Sequence, residues 1–304
     1  MNKLMNKLDN LFRGLFAGLS FTEFRSILRG DQPESPNPRY RAQRESFILH
    51  IRPRSYRAAS TRFTHTFYLG FYTTFFFVVE IISGLILMIY YEPSPEGAYE
   101  SIIRLMTRVP FGELLRDIHR LAAEGMVIFS FLHLLRTFLT GSHKGERTFT
   151  WLTGVLLFLL TLALTFSGYL LPWDQLAYWA ITIGTSMVDA IPLVGSQLSI
   201  ILRGGETVGA DGLLRFFQLH IIMLPVMAAA VFGAHYYRVV RKHSISLPAS
   251  VEEGDLSLEE YANATRKIDF LPEILINEIK LVAVGLLALV VTSLFFYDAP
   301  LESH

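Results

Sequence analysis

Five apolar stretches, at roughly residues 67–91, 116–139, 151–171, 214–240 and 278–297, limit what this chain can become. Each is long enough to cross ~30 Å of hydrocarbon, which takes about 20 helical residues. Lipid offers no partner to a backbone N–H or C=O, so a crossing segment must satisfy its own backbone as a helix. The stretches end at recognisable stops: Glu92-Pro93, Gly141-Ser142-His143-Lys144, Pro172-Trp173-Asp174, Arg241-Lys242-His243 and Asp298-Ala299-Pro300. The pattern predicts an all-α membrane protein.

Composition closes off several alternatives. Half of the residues (51%) are hydrophobic and the formal net charge is zero, so nothing points to a nucleic-acid partner. Cysteine is absent, which excludes disulfides, thiolate metal sites, iron–sulfur ligation and thioether attachment of a cofactor. The opening MNKLMNKLDNLFRGLF lacks the pattern of a cleaved signal, so translocation is expected to rest on internal spans.

Basic residues set the expected orientation. Arginines crowd the segment before the first span; Lys144 and Arg147 follow the second, and Arg241, Lys242, Arg266 and Lys267 follow the fourth. The connection 172–213 has Arg203 against Asp174, Asp189, Glu206 and Asp211. The N-terminus is therefore expected in the cytoplasm and the C-terminus on the opposite, positive side; Arg104 and Arg108 run against this rule. Residues 4–24 place Leu8, Leu11, Phe12, Leu15, Phe16 and Leu19 on one face, which reads as a helix on the cytoplasmic membrane surface. Residues 31–60, rich in proline and arginine, read as an extended, solvated lead-in.

Four histidines lie deep in the spans, where an ionisable residue is expensive and functional by default. His119 and His133 are 14 residues apart on the second span, and His220 and His235 are 15 apart on the fourth. At 1.5 Å per residue the first interval is about 21 Å, four turns at the period of packed helices. The second and fourth spans run in the same direction, so His119 faces His220 and His133 faces His235 at matching depths, with a small rotation for the longer interval. Each pair could supply two axial imidazoles to one iron porphyrin. Gly70 and Gly84 on the first span, and Gly154 and Gly168 on the third, repeat the 14-residue interval. They read as notches for two porphyrin edges, Gly84 and Gly168 at the His119/His220 level and Gly70 and Gly154 at the other. Ordinary close helix packing is the plainer account of glycine in a membrane helix. Arg116 and Arg120 flank His119, and Arg136 lies one turn past His133; all three suit haem propionates, and they equally suit span ends whose cations reach for water.

Six segments carry a resemblance: RDIHR (116–120), HLLR (133–136), GYLLPWDQLAYWA (168–180), DAIPLVG (189–195), RFFQLH (215–220) and HYYRVVRK (235–242). From about Phe63 to Pro248 the chain resembles the cytochrome b family of quinol-oxidising Rieske/cytochrome b complexes. It is closer to the short, split form of chloroplasts and some bacteria than to the mitochondrial form. The resemblance implies two non-covalent b-type haems in a four-helix bundle. His119 and His220 would hold the lower-potential haem near the positive side, and His133 and His235 the higher-potential haem near the cytoplasm. It implies quinone or quinol as substrate, with contacts at Pro172, Trp173, Gln175, Tyr178 and Arg241. As partners it implies a Rieske iron–sulfur protein, a second cytochrome b subunit with the remaining C-terminal helices, a c-type cytochrome and a homodimeric assembly in a bacterial cytoplasmic (inner) membrane.

The expected organisation is a cytoplasmic N-terminal segment (1–62), a four-helix diheme domain (63–248), a cytoplasmic linker (249–270) and a fifth span (271–304) resembling the start of the family's C-terminal half. Two departures qualify the resemblance. The family's Pro-Glu-Trp-Tyr segment, which supplies the glutamate of the quinol-oxidising pocket, occurs nowhere in 1–304. An electron-transfer subunit that is not catalytic alone is the expectation, with a diheme membrane anchor between a soluble oxidoreductase and the quinone pool as the alternative. Tyr68 falls where the chloroplast form has a cysteine that tethers an extra haem, which rules out a thioether-bound third haem. Finally, Glu80 and Glu124 share a depth just inward of His119, so at least one is expected to be protonated at neutral pH; the pair reads as a redox-linked proton site or, as readily, as two carboxyls satisfied separately by local hydroxyls or by Arg120.

Overall fold

The computed structural model describes residues 2–15, 20–22, 24–25, 55–144, 147–241, 257, 259–260 and 266–302. The elements are α1 (Asn2–Leu15), β1 (Ser55–Arg57), α2 (Leu69–Tyr90), α3 (Ala98–Arg108), α4 (Gly112–Leu139), α5 (Thr148–Tyr169), α6 (Gln175–Asp189), α7 (Gly195–Arg203), α8 (Ala210–Gln218), α9 (Leu224–Arg241), β2 (Lys267–Asp269) and α10 (Leu275–Phe295). Among the described residues, five helical runs are long and apolar enough to cross a membrane: 69–90, 112–139, 148–169, 210–239 and 270–295. All five expected spans are present; four have ends shifted by at most four residues and the fifth begins at 270, eight residues earlier than expected, and the protein is a multi-pass, all-α membrane protein. Large apolar side chains such as Ile82, Ile89, Leu139, Leu152 and Val226 are exposed, as a lipid-facing surface requires.

The chain divides into two compact units. One comprises residues 68–236 and 285–304. Here α2 lies along α4, joined by buried Phe75, Phe76, Ala122 and Met126 with Leu289. At one end of this unit, three short helices that the apolar pattern does not reveal form a cap. Ala98, Leu170, Trp173, Ile181, Leu213 and Phe216 make its buried core. Arg203 ties α7 to α6 through Thr185 Oγ1 at 2.6 Å and Asp189 Oδ2 at 3.2 Å, and Arg215 donates to the Ile201 carbonyl. The segment after α10 is pinned to the same end. Arg116 donates to the carbonyls of Ala299 (2.8 Å) and Pro300 (2.6 Å), Asp117 accepts from the Ala299 N–H, and Asp174 accepts from the Glu302 N–H.

The other unit comprises residues 1–67 and 237–284. Two expectations change here. Residues 4–24 do not form one helix: α1 ends at Leu15, and Thr22 donates from its N–H and its hydroxyl to the Asp9 carboxylate at 2.9 Å. Thirteen residues of continuous helix would put those groups about 20 Å apart, so the chain turns back between them. Phe12 packs edge-on against Phe21, at 5.1 Å, across the same contact. The lead-in and the linker are also not wholly extended coil. β1 and β2 pair antiparallel, Ser55 opposite Asp269, Tyr56 opposite Ile268 and Arg57 opposite Lys267. Tyr56 and Ile268 then pack on buried Phe270, Leu271 and Ile274. Such long-range pairing leaves no local periodicity to read.

Candidate functional site

His119 on α4 and His220 between α8 and α9 meet inside the first unit, with ring centroids 6.3 Å apart and ring planes at 85°. Two imidazoles bound to opposite faces of one metal, with metal–nitrogen bonds of about 2 Å, stand at about this separation. The Nδ1 atoms are already engaged. His119 Nδ1 lies 2.8 Å from Ser83 Oγ, and Ser83 itself donates to the Val79 carbonyl at 2.7 Å, which leaves its lone pairs to accept Nδ1–H. His220 Nδ1 lies 3.1 Å from both Ser167 Oγ and the Leu164 carbonyl, and Ser167 donates to that same carbonyl. In the other pair, His235 Nδ1 lies 3.0 Å from Thr153 Oγ1, whose hydrogen is directed to the carbonyls of Phe149 and Thr150. A proton held on Nδ1 leaves Nε2 as the basic nitrogen, the tautomer an axial ligand needs.

The glycines answer to the histidines one by one. A Cβ on Gly84 would come within 3.2 Å of His119 Cε1, and on Gly168 within 2.5 Å of His220 Cε1. At Gly70 it would meet His133 Cε1 at 3.1 Å, and at Gly154 His235 Cε1 at 3.3 Å. The pairing by level is the one the sequence suggests, but the surface each glycine meets is an imidazole ring, not open space for a porphyrin edge. Three of the four notches let a helix backbone approach a ring that the preceding residue then binds: Ser83-Gly84, Thr153-Gly154 and Ser167-Gly168. Those three hydroxyls are functional positions that the histidine spacing misses. A hydroxyl just before each of three glycines was the available signal.

The unequal intervals have a local cause. Leu219–Met223 is a π turn, closed by the Leu224 N–H on the Leu219 carbonyl. It takes up one extra residue, which accounts for an interval of 15 on this span against 14 on α4. Pro225 accounts for it, since it has no N–H to give the Ile221 carbonyl in α-helical register.

A cavity of about 270 Å³ adjoins the His119/His220 pair; its walls include both rings, Gly84, Gly168, Arg116 and Arg120. Arg120 donates from Nε to Glu124 at 3.1 Å and lies 4.8 Å over the Tyr169 ring. Arg116 reaches the cavity wall while its terminal nitrogens hold Ala299 and Pro300. Arg136 is half-buried on α4, one turn beyond His133. The two carboxyls have separate partners: Glu124 is held by Arg120 and by the Tyr297 hydroxyl at 2.8 Å, whereas Glu80 Oε2 lies 3.1 Å from His119 Nδ1. Tyr297 lies beyond α10, and burial together with its bond to Glu124 raises its phenol pKa above the ordinary value.

Pro172 and Asp174 line the cavity beside Arg116, Trp173 is buried in the cap, and Tyr178 packs edge-on against it at 6.1 Å. Asp174 caps α6 by accepting the Ala177 N–H. Gln175 is exposed and accepts from Trp179 Nε1. Arg241 is the last residue of α9, 21 residues past His220 in the chain, and belongs to the other unit. Its side chain and residues 242–250 lie outside the described residues.

Fold and site together define an integral-membrane helical bundle in which His119 faces His220, while His133 lies against Gly70 and His235 against Gly154. The cytochrome b/b6/petB family model matches residues 55–243, and the chain belongs to that family, whose members carry b-type haem. It is 44% identical over 172 residues to cytochrome b6 of the alga Gracilaria tenuistipitata var. liui, covering 57% of this chain and 80% of the relative. The same figures hold for cytochrome b6 of Auxenochlorella protothecoides. A chain of a solved hyperthermophilic respiratory Complex III superposes with a TM-score of 0.67 at 27% identity, over 82% of this chain and 67% of that one.

Proposed function

We propose that this chain is the diheme cytochrome b subunit of a Rieske/cytochrome b complex, carrying electrons across the membrane between quinol-oxidising and quinone-reducing sites. The observation that carries the proposal is the His119/His220 pair, with rings 6.3 Å apart and each Nδ1 held by a neighbouring hydroxyl. His119 and His220 would ligate one haem and His133 and His235 the other, with Gly84 and Gly168, and Gly70 and Gly154, admitting the ligand rings. When bound, haem supplies a one-electron carrier at each depth. Arg120 is the cavity-wall cation best placed for a propionate, with Arg116 beside it and Arg136 serving the second level.

The chain's own residues do the rest. The hydroxyls of Ser83, Ser167 and Thr153 hold the imidazole protons on Nδ1 and fix the ring orientations. Pro172, Trp173 and Tyr178 form an aromatic wall at the capped end, suited to a lipid quinone, with Gln175 at its rim and Arg241 at a second quinone site across the bilayer. In the assembly a Rieske iron–sulfur protein, a further cytochrome b polypeptide carrying the Pro-Glu-Trp-Tyr segment and a c-type cytochrome complete a homodimeric complex. It would sit in a bacterial cytoplasmic membrane with its N-terminus inside and α1 at the membrane surface. The test is to purify the intact complex, measure its haem by pyridine haemochrome and identify its subunits. Two b haems per chain and a co-purifying Rieske protein are expected. One haem per chain, or a soluble dehydrogenase in place of the Rieske protein, would reject the reading.

A further inference from the structure

We propose that Tyr297, just past the fifth span, is a positioning residue for Arg120: through Glu124 it holds this guanidinium on the wall of the cavity beside His119 and His220. The inference rests on the reading of that cavity as a haem site with Arg120 facing a propionate. The chain of contacts is short. The Tyr297 hydroxyl donates to Glu124 Oε1 at 2.8 Å, and Arg120 Nε donates to the same oxygen at 3.1 Å. An oxygen that accepts from two donors does so whether or not its twin carries a proton, so the bridge does not turn on the charge of Glu124. At its other end the Arg120 guanidinium lies 4.8 Å over the Tyr169 ring, and both residues line the cavity.

Tyr297 is a firm anchor because the residues after it are tied down. Arg116 donates to the Ala299 and Pro300 carbonyls, Asp117 accepts the Ala299 N–H, and Asp174 accepts the Glu302 N–H. Ala299 is buried, and Pro300 lines the same cavity. Arg116 is thus engaged by the tail backbone, whereas Arg120 is held by side chains. A long cationic side chain without such a hold extends toward water at the end of its span. Glu124 lies one turn further along α4 from its start than Arg120, so its carboxyl draws the guanidinium the other way, and Tyr297 keeps that carboxyl in place. A cation kept close to a bound haem favours the reduced form, which carries one more negative charge; a cation released to water favours it less.

The test is a potentiometric titration of the purified complex in a His133→Ala background, where the remaining b band belongs to His119/His220. Tyr297→Phe removes one hydroxyl and no charge. It is expected to keep that haem and make its reduction about threefold less favourable, the effect of withdrawing a unit charge by about 2 Å at an effective dielectric constant of about 20. Arg120→Gln should lower the potential further, and adding Tyr297→Phe to Arg120→Gln should change nothing more, because the tyrosine acts through that guanidinium. An unchanged or higher potential in Tyr297→Phe, or additive shifts in the double variant, would overturn the proposal. So would a Tyr297→Phe effect larger than that of Arg120→Gln, loss of the haem or of the protein included. Should Arg120→Gln itself lose this haem, Tyr297→Phe decides alone: a fall in potential or loss of the same haem at normal protein yield supports the assignment, and any other result rejects it. Failure of the ligand assignment looks different, since the His133→Ala background would then carry either two haems or none.

Discussion

Replacing His133 or His235 by alanine is expected to remove one of two b haems and leave the other in place. In the proposed arrangement each pair draws one imidazole from α4 and one from the fourth span, so either change would take away half of one ligand set. The second set lies four turns away, about 21 Å along the axis, with its own glycines and hydroxyls. Gly84, Ser83 and Gly168 belong to the retained level, and none of them contacts His133 or His235. Haem should fall from two to one per chain, measured as pyridine haemochrome per mole of purified protein so that lost protein is not counted as lost haem. Loss of both haems from one substitution would count against pairing across helices. Retention of both would remove His133 and His235 as ligands.

The parts of this site that could be read from sequence are those with a period. The histidine interval on α4 and the glycine intervals on α2 and α5 are whole numbers of helical turns, and the structure puts each glycine against the expected histidine. The π turn at Leu219–Met223 escaped because a uniform helical period has no place for an extra residue; Pro225 marked it, but a proline inside a span has several possible consequences. Arg116 was read from its nearness to His119, yet its guanidinium binds carbonyls at positions 299 and 300, a contact that no local pattern encodes. Helices α3, α6 and α7 went unseen for a related reason. They pack one face on the cap core and are too short and too mixed in polarity to stand out beside the spans. The pairing of β1 with β2 and the fold-back of Thr22 onto Asp9 are likewise long-range choices made by packing.

Among the four glycines, Gly168 is expected to be the one that fails even with alanine. Its added Cβ would sit 2.5 Å from His220 Cε1, inside contact distance, whereas the corresponding gaps at Gly84, Gly70 and Gly154 are 3.2, 3.1 and 3.3 Å. A ring can yield a few tenths of an ångström at the looser three. His220 has less room to yield, because its Nδ1 is fixed to Ser167 Oγ and the Leu164 carbonyl on the same helix that carries the glycine. Overpacking of this kind costs about 1–3 kcal/mol, while alanine in place of glycine favours the helix itself by up to about 1 kcal/mol. The damage should therefore appear in the site and not in the fold. Gly168→Ala is expected to lose the His119/His220 haem while keeping the other haem and a normal yield of folded protein. Gly70→Ala, Gly84→Ala and Gly154→Ala should keep both haems, with altered spectra or potentials at their own level. Leucine at any of the four should displace the haem of its own level: His119/His220 for Gly84 and Gly168, His133/His235 for Gly70 and Gly154. Haem content, potentials and yield measured across the eight variants decide the matter. Full haem with unchanged potentials in Gly168→Ala, or leucine variants that each lose the haem of the opposite level, would reduce these glycines to ordinary helix packing.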